Sequence, residues 1–225
     1  MKTLKLLLLI GVAFALPTVT QATIIGSLHD FSTNSWNTRK GVCSPCHTAH
    51  HTDPAQLVPL WAHGTTAATF TPYTSPSLQA TDTGQQPSGA SKACLSCHDG
   101  TVAINQTFSG SITGGTPEYT DPSAVLGTDL HTTHPISFTY DDALAAADGF
   151  LYPPTSTPLQ WTPGIGLAGK TIDQALLISH KMECASCHDV HKQIGSAPTS
   201  GIMVKISGTD ASGRGSLICR TCHNK

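Results

Sequence analysis

The hydrophobic and polar positions of this chain predict only short regular elements. Residues 141–148 have the pattern of two helical turns, a second helical pattern runs over 171–182, and residues 202–206 have the pattern of a short strand. The stretches between them are rich in Gly, Pro, Ser and Thr, which form turns rather than cores. We therefore expect an irregular, loop-rich fold with short α-helices and little strand.

The N-terminal segment has the pattern of a secretory signal peptide. Lys2 and Lys5 precede an apolar run over residues 6–16, and a polar stretch then ends at Ala22. Basic, apolar and small-residue parts in this order predict cleavage after Ala22, within a residue or two. The apolar run is too short to span a bilayer, and no later stretch approaches the length required. We expect an exported, water-soluble protein without a membrane span.

The composition predicts a thin core for a chain of this size. Of 225 residues, 20 are Gly and 15 are Pro, and only 6% are aromatic. Because Gly and Pro favour turns and supply little aliphatic volume, something other than side chains should fill the interior. Removing the 2 leader lysines from the 12 basic residues leaves 10 against 14 acidic residues, which argues against nucleic acid as a partner.

All 8 cysteines fall in one motif, Cys-x-x-Cys-His, which occurs four times. This motif is the attachment signature of c-type haem. Its two thiols bond to one porphyrin edge, and the histidine that follows binds the iron as proximal ligand. The predicted attachment residues are Cys43, Cys46, Cys94, Cys97, Cys184, Cys187, Cys219 and Cys222, and the predicted proximal ligands are His47, His98, His188 and His223. The motif count predicts four covalently bound haem c groups.

Paired cysteines have two other common uses. Four Cys-x-x-Cys pairs can supply two four-cysteine zinc sites, and an exported chain can hold disulfides. Zinc would not require a histidine after every pair, and a disulfide framework would not space every pair by two residues. The motif therefore favours covalent haem.

The remaining histidines are candidates for the sixth position of each iron. Of 12 histidines, eight lie outside the motifs, enough to give every iron a second histidine ligand. Such bis-histidine, low-spin centres are suited to electron transfer. The preferred distal ligands are His29, His50, His63, His134 and His191. We rank His51, His131 and His180 below them, and we expect His180 on the surface of the helix predicted over 171–182.

Two of these candidates lie three residues after a motif histidine. His50 follows His47, and His191 follows His188. A residue one turn along the same short helix stays on the proximal side of its own haem. His50 and His191 would therefore each ligate a different haem, or none.

The spacing of the motifs predicts one tetrahaem domain. Residues 1–22 form the leader and 23–225 the mature domain, with a first haem pair over about 23–105 and a second over about 171–225. A loop-rich insert over about 101–170 joins the pairs. A disordered linker is the alternative for this insert, but His134 within it favours at least partial order. Asn105-Gln106-Thr107 offers a glycosylation acceptor site in an exported chain.

The order of the motifs resembles a known group. Cys-x-x-Cys-His-Thr-x-His, Pro-Leu-Trp-x-His, Cys-Leu-Ser-Cys-His-Asp-Gly-Thr-Val-Ala, His-Pro-Ile-Ser-Phe and Cys-x-Ser-Cys-His-Asp-x-His follow one another along the chain. This order is similar to that of the doubled Cys-x-x-Cys-His multihaem cytochromes. It is most similar to the exported tetrahaem cytochromes, which include those that polymerise into extracellular conductive filaments.

The resemblance implies a fold organised around a stacked haem column. It also implies long-range electron transfer to external acceptors, through redox partner cytochromes and a homopolymer of this chain. In that assembly His50 would ligate a haem of the adjacent subunit, and His51 is the alternative for the same role.

The sequence leaves three functions open. The first is a non-enzymatic electron conduit that assembles end to end outside the cell or at its surface. The second is a monomeric periplasmic shuttle with the same haems. The third is a reductase in which one haem lacks a distal ligand, which the surplus of histidines disfavours.

Overall fold

Short helices and long loops make up the fold. The computed structural model describes residues 24–54, 58–160, 167, 169–191, 203–206, 208–209 and 216–225. Its helices are α1 (Gly89–His98), α2 (Asp142–Asp148), α3 (Ile172–Leu176), α4 (Cys184–Cys187) and α5 (Leu217–Cys222), and 3-10 turns lie at Phe31–Thr33 and Pro122–Ala124. This architecture confirms the loop-rich fold with little strand. The leader predicted over residues 1–22 lies outside the described residues.

One small sheet joins the middle of the chain to its C-terminal third. Strand β1 (Phe138–Thr139) pairs antiparallel with β2 (Lys181–Met182), and Phe138 lies opposite Met182. Because β1 belongs to the insert and β2 immediately precedes the third motif, this pairing fixes the insert against the C-terminal segment.

The helix predicted over 141–148 is confirmed as α2. The Asp141 carboxylate caps its N-terminus by accepting a hydrogen bond of 2.8 Å from the Leu144 amide. Gly149 ends the helix with a φ of 73°, a left-handed conformation that glycine adopts without strain.

The prediction of a longer helix over 171–182 is wrong. Helix α3 starts with a capping box between Thr171 and Gln174 but ends at Leu176. Ser179 and His180 then take φ values of 52° and 62° and turn the chain into β2. His180 is therefore exposed on a turn and not on a helix, with its Nδ1 2.8 Å from the Asp173 carboxylate.

The strand predicted over 202–206 falls partly outside the described residues. Within 203–206, Val204 forms an isolated β-bridge with His188. This bridge places the chain after residue 203 beside the third motif histidine.

Two clusters of buried side chains form the core, and each lies beside Cys-x-x-Cys-His motifs. The larger contains Phe138, Tyr140, Ile172, Leu176 and Cys222, with Cys187 packed against it. The smaller contains Phe70, Leu95 and Leu130. Both clusters include residues of the insert, so its described part is packed into the fold.

Polar side chains hold the loops in place, as Asn105 illustrates. This side chain is 2% exposed, and its Nδ2 donates to the carbonyls of Thr113 and Thr116 while its Oδ1 accepts from the Glu118 amide. The glycosylation acceptor site suggested by the sequence is therefore closed in the folded protein. No helix in the described ranges is long and apolar enough to cross a membrane.

Candidate functional site

Each Cys-x-x-Cys-His motif forms one helical turn. The histidine amide donates to the carbonyl of the first cysteine in three motifs, at 2.9 Å from His47 to Cys43, 3.0 Å from His188 to Cys184 and 3.0 Å from His223 to Cys219. In the second motif, both cysteines and His98 belong to helix α1. This turn brings the two thiols and the imidazole to neighbouring positions, which a single cofactor attached at one edge requires.

Three motif histidines face a histidine from a distant part of the chain. The ring centroids are 6.0 Å apart for His98 and His29, 6.1 Å for His47 and His191, and 6.4 Å for His223 and His134. Two imidazoles that bind one metal from opposite sides, each through a nitrogen about 2 Å from the metal, have centroids about 6 Å apart. The three pairs therefore have the separation of two axial ligands.

Hydrogen bonds orient the rings in these pairs. The Nδ1 atoms of His47, His98 and His134 each lie 2.8 Å from a backbone carbonyl, those of Pro59, Ala124 and Pro135 respectively. Because a carbonyl only accepts, Nδ1 carries the proton and donates, and Nε2 keeps its lone pair. This tautomer is the one that metal-ligating histidines adopt, with the second nitrogen fixed by an outer hydrogen bond.

Burial keeps two of these imidazoles neutral. It lowers the pKa of His29 and His223, and the neighbouring histidine, His98 or His134, lowers it further. Neutral imidazole is the form that binds a metal.

No protein-family model and no curated protein matches this sequence.

The fourth motif borders an apolar cavity. The cavity has a volume of about 160 Å³ and is open to solvent. Its lining includes Phe138, Leu144, Leu151, Met182, Ile218, Cys219, Cys222 and the facing pair His134 and His223. A flat apolar group attached at both cysteines fits this donor set and these walls.

Exposed apolar side chains lie beside the first and second motifs. Leu60 is 53% exposed and its carbonyl accepts from Thr48, next to His47. Leu126 is 53% exposed and its amide donates to the carbonyl of His98. Leu60 and Leu126 are therefore surface residues next to the first and second motifs.

The motifs lie next to one another in sequence order. Burial raises the pKa of the Cys97 and Cys187 thiols, and the nearby thiols of Cys46 and Cys219, respectively, raise it further. Between these contacts, the thiols of Cys94 and Cys184 hydrogen-bond each other where helices α1 and α4 pack together. The first motif therefore lies beside the second, the second beside the third, and the third beside the fourth.

All eight cysteines are described, and all are free thiols. Burial raises the pKa of Cys46 to about 11, and that of Cys97 and Cys222 to about 12. No group of three or more His, Cys, Asp or Glu side chains in the described part of the chain is placed to hold a metal ion. There, the structure forms neither a disulfide framework nor a four-cysteine zinc site.

The structure places the two remaining distal candidates differently. His63 is 2% exposed, with Nδ1 2.7 Å from the Gly64 carbonyl and Nε2 3.0 Å from the Ala103 carbonyl, so both ring nitrogens are engaged. Burial lowers its pKa. His50 is exposed, as is His51 beside it. His29, His134 and His191 are thus brought to motif histidines, and ligation itself stays a prediction.

One polar group at the junction of the motifs gives no signal in the sequence. Glu183, directly before Cys184, is 3% exposed, and its Oε2 accepts from the Ser91 amide and the Ser137 hydroxyl. No local pattern marks Glu183, because its two partners come from segments far apart in the chain.

Proposed function

We propose that this protein is a tetrahaem c-type cytochrome that carries electrons and has no catalytic site of its own. The observation that carries the proposal is the set of three histidine pairs. In each pair a motif histidine faces a distant histidine at the separation of two axial ligands, 6.0 to 6.4 Å between centroids. Haem held by the motifs would supply reversible one-electron iron chemistry.

The chain's own residues have three tasks in this proposal. The paired thiols would hold a porphyrin through its two vinyl groups, each S–H forming one C–S bond with its proton going to the neighbouring carbon. The motif histidines would hold the iron with Nε2, and His29, His134 and His191 would supply a second imidazole at three of the four motifs. Apolar side chains around the cavity at the fourth motif would pack against the haem and remove part of its surface from water.

Haem content and spin state test this proposal. The protein, purified from a host that matures c-type cytochromes, is expected to carry four haems by pyridine haemochrome absorbance and by intact mass. Its ferric electron paramagnetic resonance spectrum is expected to be low-spin, and the reduced protein should not bind carbon monoxide. Absence of covalent haem would overturn the proposal. A stoichiometric high-spin signal would instead favour a reductase with an open haem.

We further propose that the subunits assemble end to end, with His50 reaching a haem of the adjacent subunit. His50 is exposed and lies three residues after His47, so it is available to a second copy. Exposed apolar residues lie at both ends of the motif order, Leu60 by the first motif and Phe150, 56% exposed, by the fourth. Burial of such residues between copies would stabilise the junction.

Negative-stain microscopy of the native protein tests the assembly. Filaments are expected for the native chain, and the His50→Ala variant should retain four haems but lose the filaments. The matched control is His51→Ala, which changes the neighbouring exposed histidine and should still assemble. A uniform monomer at high concentration would instead support the periplasmic shuttle.

A further inference from the structure

Segments of the second motif, the third motif and the insert meet at one buried polar cluster. We define the junction cluster as Ser88, Ser91, Ser137, Glu183 and Cys184. Ser91, Ser137 and Glu183 are 0%, 3% and 3% exposed, so water does not compete for their hydrogen bonds. Ser88 and Ser91 lie at the start of helix α1 of the second motif, and Glu183 and Cys184 begin the third.

The hydrogen bonds of the junction cluster run in both directions between the second and third motifs. The Ser91 amide donates to Glu183 Oε2 at 3.2 Å, and the Cys184 amide donates back to Ser91 Oγ at 2.9 Å. Because the bonds are reciprocal, sliding one helix past the other would break both. The Cys94 and Cys184 thiols in contact beside them are predicted attachment points of two different haems.

Ser137 connects these two hydrogen bonds to the chain segment that contains His134. Its hydroxyl donates to Glu183 Oε2 at 3.0 Å and accepts from the Ser88 amide at 3.0 Å. Three residues earlier in the chain, His134 faces His223 of the fourth motif. Ser137 therefore ties the position of that histidine to the second and third motifs.

The backbone at Ser137 is held in an unfavourable conformation. Its φ is 61°, in the left-handed region where a residue with a Cβ is strained. Such strain persists only where the surroundings enforce it, and it is concentrated at functional positions. Four hydrogen bonds hold Ser137 in this conformation. Two involve its hydroxyl, its amide donates to the Met182 carbonyl at 2.6 Å, and its carbonyl accepts from Lys181 Nζ at 3.3 Å.

We infer that Ser137 and Glu183 are positioning residues that fix the second, third and fourth motifs relative to one another, and so set the geometry of electron transfer between the two halves of the chain. The inference rests on the proposed function. Neither residue binds haem. They act through the helices and the His134 segment that they hold.

The test is the coupling between haems in variants that keep all four. Glu183→Ala removes both acceptor bonds and is expected to reduce the amplitude of the Soret circular dichroism couplet, which depends on the distances and angles between haems. Glu183→Gln keeps a side-chain oxygen that can accept from Ser91 and Ser137, and should restore the couplet. Haem content and low-spin electron paramagnetic resonance should be unchanged in both.

A matched control separates positioning from general stability. Asp82 is a partly buried carboxylate that accepts from the amide and hydroxyl of Thr139 in β1, at 2.8 to 3.1 Å, and its bonds do not involve α1 or α4. Asp82→Ala should lower the melting temperature while leaving the couplet unchanged. If Glu183→Ala and Asp82→Ala changed the couplet equally, the positioning role would be overturned.

Ser137→Gly keeps the test decisive if Glu183→Ala does not fold. Glycine accepts the left-handed backbone without strain, so the chain should fold, but the hydroxyl link is lost. The expected result is four haems with a reduced couplet. Four haems with a wild-type couplet would refute the inference and leave the proposed function intact, whereas absence of haem from the wild type would refute the proposed function.

Discussion

The second and third motifs share the pattern Cys-x-Ser-Cys-His-Asp, yet their surroundings differ. The second lies in α1, ten residues long, and the third in α4, four residues long. Asp99, which ends the second motif, is 4% exposed and accepts from Thr66 and Thr101. Asp189, which ends the third, has a side chain 29% exposed, and its Oδ1 accepts from the His191 amide at 3.0 Å and lies 3.7 Å from His191 Nδ1.

This difference shows what the motif determines and what it leaves to the rest of the fold. The local turn is alike in both, because it follows from the spacing of the cysteines and the histidine. Burial of the flanking positions depends on which segments pack over them, and those segments are remote in sequence. Substitutions at matched positions of the two motifs therefore test the comparison directly.

The largest expected difference in stability between the two motifs is at the position directly after the first cysteine. Leu95 of the second motif is 1% exposed in the smaller core cluster, whereas the third motif has the half-buried Ala185 at the same position. Leu95→Ala gives both motifs the same residue and leaves a cavity, so we expect a loss of about 3 kcal/mol in the free energy of unfolding. Urea unfolding of the holoprotein measures it. Ala185→Gly is the matched change, and an equal loss there would contradict the comparison.

A smaller difference in stability is expected at the aspartates that end the two motifs. Asp99→Ala leaves the buried Thr66 hydroxyl and the amide and hydroxyl of Thr101 without their acceptor, at a cost of about 2 kcal/mol. Asp189→Ala removes a partly exposed carboxylate, and the loss should be about 0.5 kcal/mol. The same unfolding experiment compares them. Equal losses would mean that burial does not distinguish the two sites.

The shared serines should behave alike. Ser96 and Ser186 are 0% and 1% exposed, and each Oγ accepts one backbone N–H, from Thr66 at 3.1 Å and from Glu183 at 2.9 Å. Replacing either serine by alanine leaves one buried donor unsatisfied, so both variants should lose about 1 kcal/mol. A several-fold difference between them would show that the motifs differ even where their contacts match.

The sequence predicts the loop-rich fold and α2, because Asp141, Gly149 and the composition act locally. It fails over 171–182, where apolar spacing suits a helix but Ser179 and His180 turn the chain into β2. The signal for that turn is the pairing of Lys181 with Thr139, more than 40 residues earlier, and no local pattern contains it.

In the candidate site, too, the sequence predicts some features and long-range packing decides the others. The motif turns follow from cysteine spacing, and the sequence singles out His29, His134 and His191, whose role as distal ligands stays a prediction. Which motif each of them faces depends on long-range packing, as does the burial of His63 between two carbonyls. The junction cluster around Glu183 is invisible in the sequence for the same reason.

The pairing of His191 with His47 tests the central claim most directly. In the native holoprotein, His191→Ala is expected to convert one low-spin haem to high-spin in the electron paramagnetic resonance spectrum. The same substitution in a Cys43→Ala/Cys46→Ala background, which lacks the first haem, is expected to add no high-spin signal. A new high-spin haem in that background would show that His191 serves another motif and would contradict the pairing on which the proposed function rests.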